Sequence, residues 1–256
     1  MQAQFAPQDE PLNRIKTRIL FLYILTFLFF SGCASTLRTS PDFPQKISHI
    51  KTIAVLPAHV EVYKITAGGV TELIDEWSDD AKQWIQEALK EHLGSRYSFN
   101  IKFIPEDWLK TKHKRLWKDN ESLFDSVAYS ALLHAYPGVH TFPSKVKNFD
   151  YTLGQEFEEL ARVCEADGIL FIRGLDYEAT MGRQILNFWN FTIGMALGVI
   201  PLSTEPSFMV MGIVDHSTGD VEWFKTSPGD MQYSFKDKEQ INSLVEWLTR
   251  DFLKTP

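Results

Sequence analysis

Apolar residues after residue 50 occur in two kinds of pattern, and these follow one another in mixed order along the chain. Short apolar runs closed by proline, glycine or polar residues are typical of buried strands, and strict alternation is typical of a half-exposed strand. These patterns predict strands at 52–57, 98–104, 168–174 and 208–214. A strand at 220–225 is predicted to pair with 208–214 as a hairpin, because the residues between them, 216–219, have turn chemistry.

Helices are predicted where apolar residues recur every three to four positions. This spacing occurs at 73–93, 106–118, 121–134, 152–164 and 236–253. Gly94 has the position of a C-terminal stop, and Thr152 with Gln155 has the spacing of a capping box. This order of elements predicts one α/β (α+β) domain over 51–256, with a mixed sheet in two or three layers.

The first 32 residues have the pattern of a targeting signal. Arg14, Lys16 and Arg18 precede an uncharged apolar run from Ile19 to Phe30. A helix over this run would rise about 18 Å, which is short of the roughly 30 Å hydrocarbon core of a membrane. Residues 1–32 are therefore predicted to be a signal peptide that is removed from the mature protein. The alternative is an N-terminal anchor helix that stays attached.

The residues that follow the apolar run suggest how the chain is anchored. The string Phe30-Ser31-Gly32-Cys33 resembles the lipobox of bacterial lipoproteins, although Phe30 stands where that family prefers leucine. The resemblance implies that Cys33 is acylated, with palmitate among its lipids, and becomes the mature N-terminus. Ala34, in place of aspartate, implies sorting to the outer membrane, with the domain facing the periplasm. If the N-terminal helix instead stays attached as an anchor, Cys33 carries no lipid and has no special role.

Residues 33–50 are predicted to be the lipidated N-terminus and a short tether, since this stretch contains Pro41 and Pro44 and has little apolar periodicity. Lipid chains on Cys33 would hold the mature protein at the membrane without help from the rest of the chain. After cleavage, Cys164 is the one free thiol, and no disulfide within the chain is expected.

Composition narrows the possible functions. Hydrophobic residues make up 44% and charged residues 23%, so the chain has the balance of a folded globular protein. The formal net charge of −7 argues against nucleic acid as an electrostatic partner. Two cysteines are too few for a disulfide framework or a cysteine-rich zinc site.

Four segments carry a second resemblance, to a group of envelope proteins. They are Ile53–Pro57, Ala81–Leu93, Ala166–Gly174 and Val214–Trp223. Together they look like the α/β domain shared by the curli-secretion pore lipoprotein, the lipoprotein activator of penicillin-binding proteins and the N-terminal domain of the Tol system's propeller protein. The resemblance implies a fold and a compartment, and it transfers no catalytic residue.

No set of residues predicts catalysis. Cys164 lies on the apolar face of its predicted helix, so we expect it to be buried and unreactive. His134 and His140 match no common spacing of metal ligands, and Gly68-Gly69 lacks the residues of a phosphate loop and predicts a turn. We therefore expect no enzyme activity, no metal site and no cofactor.

Three further groups of side chains have a structural and a functional interpretation. The acidic residues Asp75, Glu76, Asp79 and Asp80 suit a helix N-terminus, with a weak divalent-cation site as the alternative. The basic run 110–115 is predicted to be a solvated face, with phospholipid headgroups as the remote alternative. Among the tryptophans, Trp108 and Trp117 are the candidates for contact with a partner.

The most unusual segment is 185–202, which lies within an uncharged stretch from Gln184 to Thr204. By length and apolarity it approaches a membrane span, but a single crossing would separate strands expected to share one sheet. Three alternatives remain: an apolar flap over the domain core or a dimer interface, a segment that dips into the membrane leaflet, and a two-stranded membrane hairpin in an oligomeric pore. The candidate contact residues are Ile185, Leu186, Phe188, Trp189, Phe191, Ile193, Met195, Leu197, Val199 and Ile200.

These observations predict a non-enzymatic, lipid-anchored outer-membrane protein that acts as a scaffold or accessory binding protein in the cell envelope. Its partners are expected to be the membrane, a second envelope protein and possible further copies of itself, and not nucleic acid. The alternative function is a subunit of an oligomeric secretion or transport pore that uses 185–202.

Overall fold

The computed structural model describes residues 36–94, 99–136, 140–180, 207–228 and 233–252. The predicted signal peptide 1–32, the lipidation candidate Cys33 and the contact candidates between Ile185 and Ile200 lie outside the described residues.

The described strands are β1 (Leu37–Thr39), β2 (Thr52–Val55), β3 (His59–Ile65), β4 (Thr71–Leu73), β5 (Asn100–Phe103), β6 (Gly168–Ala179), β7 (Phe208–Asp215) and β8 (Val221–Thr226). The five strands predicted from the sequence, at 52–57, 98–104, 168–174, 208–214 and 220–225, are confirmed as β2, β5, β6, β7 and β8. The helices are α1 (Phe43–Lys46), α2 (Asp75–Leu93), α3 (Glu106–Lys112), α4 (Lys114–His134), α5 (Pro143–Lys147), α6 (Glu158–Cys164) and α7 (Lys238–Thr249).

The described strands form one mixed sheet in the order β1-β8-β7-β6-β2-β5. The central strand β6 pairs antiparallel with β7 along one side. Along its other side it pairs in parallel first with β2 and then with β3, which continues from β2 after a break at Pro57. β4 folds back on β3 as an antiparallel strand. β6 is therefore longer than predicted, because β3 supports its second half.

Helices cover both faces of the sheet, which makes the domain three-layered. On one face, α2 and α7 pack through residues such as Ile85 and Leu244 onto Ile53 and Ile172 of the sheet. On the other face, α3, α4 and α6 pack onto the alternate residues of the same strands. The side chains of β2 show the division, because Ile53 and Val55 belong to the first core and Ala54 to the second. The α/β fold class is confirmed.

The prediction that 33–50 forms a tether outside the folded domain is wrong for its described part. β1 pairs antiparallel with β8, and Phe43 and Ile50 are buried in the core. The prolines gave this stretch a loop-like composition, but Pro44 lies at the first turn of α1, where its missing N–H costs nothing. The folded domain therefore includes the residues that closely follow Cys33.

Two helix boundaries also differ from the prediction. The break expected between 118 and 121 lies at His113, and α4 runs without interruption because Trp117 and Phe124 continue one buried face. The helix expected from Thr152 begins only after a 3₁₀ turn at Gln155–Phe157. Thr152 does not cap it: its hydroxyl donates to the carbonyl of Gly219, 3.1 Å away.

Candidate functional site

Several of the described segments begin or end at one end of the sheet, which we call the upper end. The register places the start of β1 beside the end of β8, since Leu37 pairs with Lys225. The start of β7 lies beside the second half of β6, since Phe208 pairs with Leu175. The upper end therefore carries Thr36, where the described chain begins, and both residues that flank 181–206.

Thr36 is held firmly at this end. Its carbonyl accepts hydrogen bonds from the backbone N–H of Thr226 at 3.1 Å and from the hydroxyl of Tyr136 at 2.9 Å. Tyr136 is half-buried, and desolvation of its hydroxyl raises the pKa of that group. The guanidinium of Arg38 lies over its ring, 5.1 Å from the centroid. The first described residue is thus fixed to β8 and α4.

A buried carboxylate fixes the residues that follow Thr36. Glu222 on β8 is fully buried and accepts hydrogen bonds from Ser40 and Lys46. Burial raises the pKa of Glu222, against the lowering effect of these two hydrogen bonds. Lys46 also contacts Asp220 at 3.2 Å. A buried carboxylate is costly unless it keeps its hydrogen-bond partners. Because Ser40 and Lys46 are those partners, Glu222 favours the packing of 36–50 against the sheet.

Part of the sheet extends further than the rest at the upper end. Arg173 on β6 is level with Val210 on β7 and, through it, with Thr226 at the end of β8. β6 continues from there to Ala179, about 20 Å at roughly 3.3 Å per residue. We call this extension, residues 60–73 together with 174–180, the tongue.

The tongue is a three-stranded unit with an uncharged tip. Ile65 pairs with Ala179 on one side and with Thr71 on the other. The stacked rings of Tyr63 and Tyr177, 5.2 Å apart, support the first of these pairings. The tip, residues 66–71, contains no charged side chain, and Val70 in it is 65% exposed.

The turn at the tip confirms the prediction for Gly68-Gly69. Gly69 has φ of 82°, a conformation that glycine adopts at little cost, and its N–H donates to the carbonyl of Thr66 at 2.9 Å. β3 and β4, which flank this turn, were not predicted.

A polar clamp at the base of the tongue joins β6 to Ser207 and to residues 234–235. Asp176 on β6 is 1% exposed and accepts hydrogen bonds from the hydroxyl of Ser207 and, at 2.8 Å, from the N–H of Phe235. Burial raises the pKa of Asp176 to about 6. Nearby, Ser234 donates to Glu178. Since Thr180 and Ser207 flank neighbouring antiparallel strands, a single membrane crossing between them is excluded.

A charged cluster joins the foot of the tongue to α4. Arg173 donates to Glu61 at 2.9 Å and lies 3.8 Å from Asp125. Nδ1 of His59 lies 3.3 Å from Asp125 and 3.8 Å from Glu121. The opposite charges of Arg173 and Asp125 stabilise the position of the tongue relative to the helix. No sequence pattern predicted this cluster, because its members are far apart in the chain.

The cysteine and the two tryptophans singled out in the sequence pack against other parts of the domain. Cys164 is fully buried, as predicted, and burial raises its pKa to about 11. Trp117 is 2% exposed, so the prediction that it contacts a partner is wrong; it belongs to the apolar face of α4. Trp108 is half-buried and its ring lies 4.6 Å from that of His113.

The possible ligand groups do not assemble into a site. His134 contacts the carbonyl of His140 at 2.9 Å and stacks on Phe142. Asp79 forms an ion pair with Lys82 at 2.9 Å. Within the described ranges, no group of three or more His, Cys, Asp or Glu residues is positioned to hold a metal ion.

A cleft of about 430 Å³ lies at the carboxyl ends of β2 and β5, between α2 and α3. Its floor is apolar, and its charged walls are paired within their own helices, such as Lys110 with Glu106 at 2.9 Å. No Ser, Thr, Cys or His is among its lining residues.

No helix in the described part of the chain combines the length and apolarity that a membrane crossing requires. No protein-family model matches the chain. No curated protein matches it either.

Solved structures with weak similarity to the chain include the following two. The PelC dodecamer from Paraburkholderia phytofirmans is 12% identical, with a TM-score of 0.33, over 86% of this chain and 96% of that chain. The LpoB C-terminal domain from Salmonella enterica is 9% identical, with a TM-score of 0.26, over 73% of this chain and 93% of that chain.

Proposed function

We propose that the protein is a lipid-anchored outer-membrane protein whose periplasmic domain serves as a non-enzymatic accessory or scaffold in the cell envelope. In this proposal Cys33 carries the lipid, and the 185–202 segment associates with lipid or with a second protein. The observation that supports it is that Thr36, Thr180 and Ser207 all lie at the upper end of the sheet. The chain segments that carry the proposed anchor and the apolar residues therefore join the described domain at the same end.

The non-enzymatic part of the proposal is supported by the chemistry of the described residues. The thiol of Cys164 is buried, and its raised pKa disfavours the reactive thiolate. The buried carboxylates of Asp176 and Glu222 are occupied as acceptors that join segments of the chain.

A second candidate function, a subunit of an oligomeric pore, is favoured by one observation. The 181–206 segment connects neighbouring antiparallel strands, as a two-stranded membrane hairpin requires. The size of the detergent-solubilised protein separates the two functions. A ring of many copies supports the pore, whereas a monomer or dimer supports the accessory protein.

The anchor is tested by replacing Cys33. We expect Cys33→Ser in the full-length protein to leave an uncleaved precursor in the inner membrane, because acylation and cleavage both need the thiol. Fractionation and mass spectrometry of the N-terminal peptide measure this. Cys164→Ala is the matched control and is expected to be processed and sorted normally, since that side chain is buried. Mature-sized Cys33→Ser protein in the outer-membrane fraction would overturn the proposal.

A further inference from the structure

We infer that the upper end of the sheet rests on the membrane and that the tip of the tongue, residues 66–71, contacts the lipid headgroup region. This inference rests on the lipid anchor of the proposed function and adds the orientation of the domain. It assigns lipid as the partner of a surface of the described chain, in addition to the lipid attached at Cys33.

The first argument is the short distance between the anchor and the fold. Only Ala34 and Ser35 lie between Cys33 and Thr36, so the α-carbons of Cys33 and Thr36 are no more than about 11 Å apart. Thr36 is held by β8 and Tyr136. A lipidated Cys33 therefore keeps the upper corner of the sheet close to the membrane.

The second argument compares this distance with the length of the tongue. The tongue extends about 20 Å past the level of Thr226, whereas the link to Cys33 spans at most about 11 Å. β1 and β6 are separated by three strand spacings, or about 14 Å. A planar membrane surface can therefore meet the lipid anchor and the tip together when the strands are oblique to it.

The third argument is the uncharged, partly apolar surface of the tip itself. Residues 66–71 carry no charge, and Val70 in the tip and Leu73 at the end of β4 are exposed by 65% and 43%. The stretch from Gln184 to Thr204, which follows β6 in the sequence, also carries no charge. Exposed apolar side chains on an uncharged projection are typical of a contact site.

Fluorescence quenching by lipid tests this orientation in the full, lipidated protein. Cys33 is then acylated and Cys164 buried, so an introduced cysteine is the accessible thiol. Val70→Cys places a fluorophore at the tip, with Thr71→Cys as a second tip position. Asn100→Cys, at the exposed start of β5, is the matched control. It lies at the opposite end of the sheet, separated from the tip by about the length of β6, roughly 36 Å. The labelled proteins are reconstituted into vesicles that contain phospholipid with a nitroxide headgroup.

We expect quenching at residues 70 and 71 to exceed that at residue 100 severalfold. Equal quenching at the two ends, or stronger quenching at residue 100, overturns the inference. A tip label that is shielded from both the lipid quencher and aqueous iodide also overturns it, because a protein surface then covers the tip. Flotation of the vesicles separates the two proposals: protein that does not float contradicts the lipid anchor and the inference with it, whereas floating protein without the asymmetry contradicts the orientation alone.

Discussion

The carboxylate of Asp176 holds three separate parts of the chain at the upper end of the sheet. It lies on β6 before 181–206, and it accepts hydrogen bonds from Ser207 after that segment and from Phe235 after 229–232. Because the group is almost fully buried, its ionised form is disfavoured, and its pKa is raised to about 6. The clamp is therefore sensitive to pH.

The raised pKa of Asp176 predicts how the free energy of unfolding changes with pH. Asp176 has a higher pKa in the folded protein, about 6, than its ordinary 3.8, so the folded state binds the proton more tightly. The free energy of unfolding is then expected to fall as pH rises from about 4 to 6, by at most roughly 3 kcal/mol. Asp176→Asn should remove this contribution, since the amide accepts from Phe235 and donates to Ser207 without titrating. Urea unfolding of both proteins across this pH range measures it.

Asp176→Ala is the comparison variant. It leaves the N–H of Phe235 unpaired in a buried position, so it should be less stable than Asp176→Asn by roughly 1–3 kcal/mol. The neighbouring Glu178 also raises the pKa of Asp176, so Glu178→Gln serves as a control for its share of the pH dependence. An unchanged pH dependence in Asp176→Asn would show that another group titrates.

At the scale of elements, the sequence predicted the strands that carry continuous apolar runs, and it missed the tongue. In β3, Val60 and Val62 alternate with polar residues, which is a strand pattern. It was missed because it follows Pro57 closely, where a loop is expected. β4 has three residues, all exposed, and therefore leaves no hydrophobic signal. Both form because the second half of β6 supplies hydrogen-bonding partners, which local patterns do not show.

The packing of α4 on β7 supplies a prediction at this scale. Phe124 stacks on Phe171, with ring centroids 4.6 Å apart, and lies directly over Gly212. A Cβ at residue 212 would lie 2.6 Å from the Phe124 ring, so we expect Gly212→Ala to lower the free energy of unfolding by roughly 1–3 kcal/mol. Gly68→Ala in the exposed tip is the control and should change it little. Similar stabilities for the two variants would show that α4 adjusts freely.

At the scale of the whole molecule, the sequence indicated an envelope α/β protein but gave no information on which parts of it meet. The positions of Thr36, Thr180 and Ser207 at one end follow from pairings such as Leu37 with Lys225, which join residues far apart in the chain. The tether prediction failed for the same reason, since 36–50 has few apolar residues and is held mainly by distant partners on β8. The placement of Thr36, the tongue and Ser207 at one end of the sheet is a property of its register.

This arrangement predicts the outcome of removing the apolar segment. In residues 34–256 produced without the signal peptide, 185–202 can be exchanged for a short Gly-Ser turn, because Phe208 and Leu175 pair outside the exchanged part. We expect the unaltered version to self-associate or float with vesicles and the shortened one to stay folded and monomeric, as measured by thermal unfolding, light scattering and flotation. The physical reason is that exposed apolar surface costs about 25 cal/mol per Å² in water. Phe188→Asp, which keeps the length, should weaken association in the same direction. If the shortened protein unfolds, the segment belongs to the core, and the flap alternative replaces both membrane alternatives.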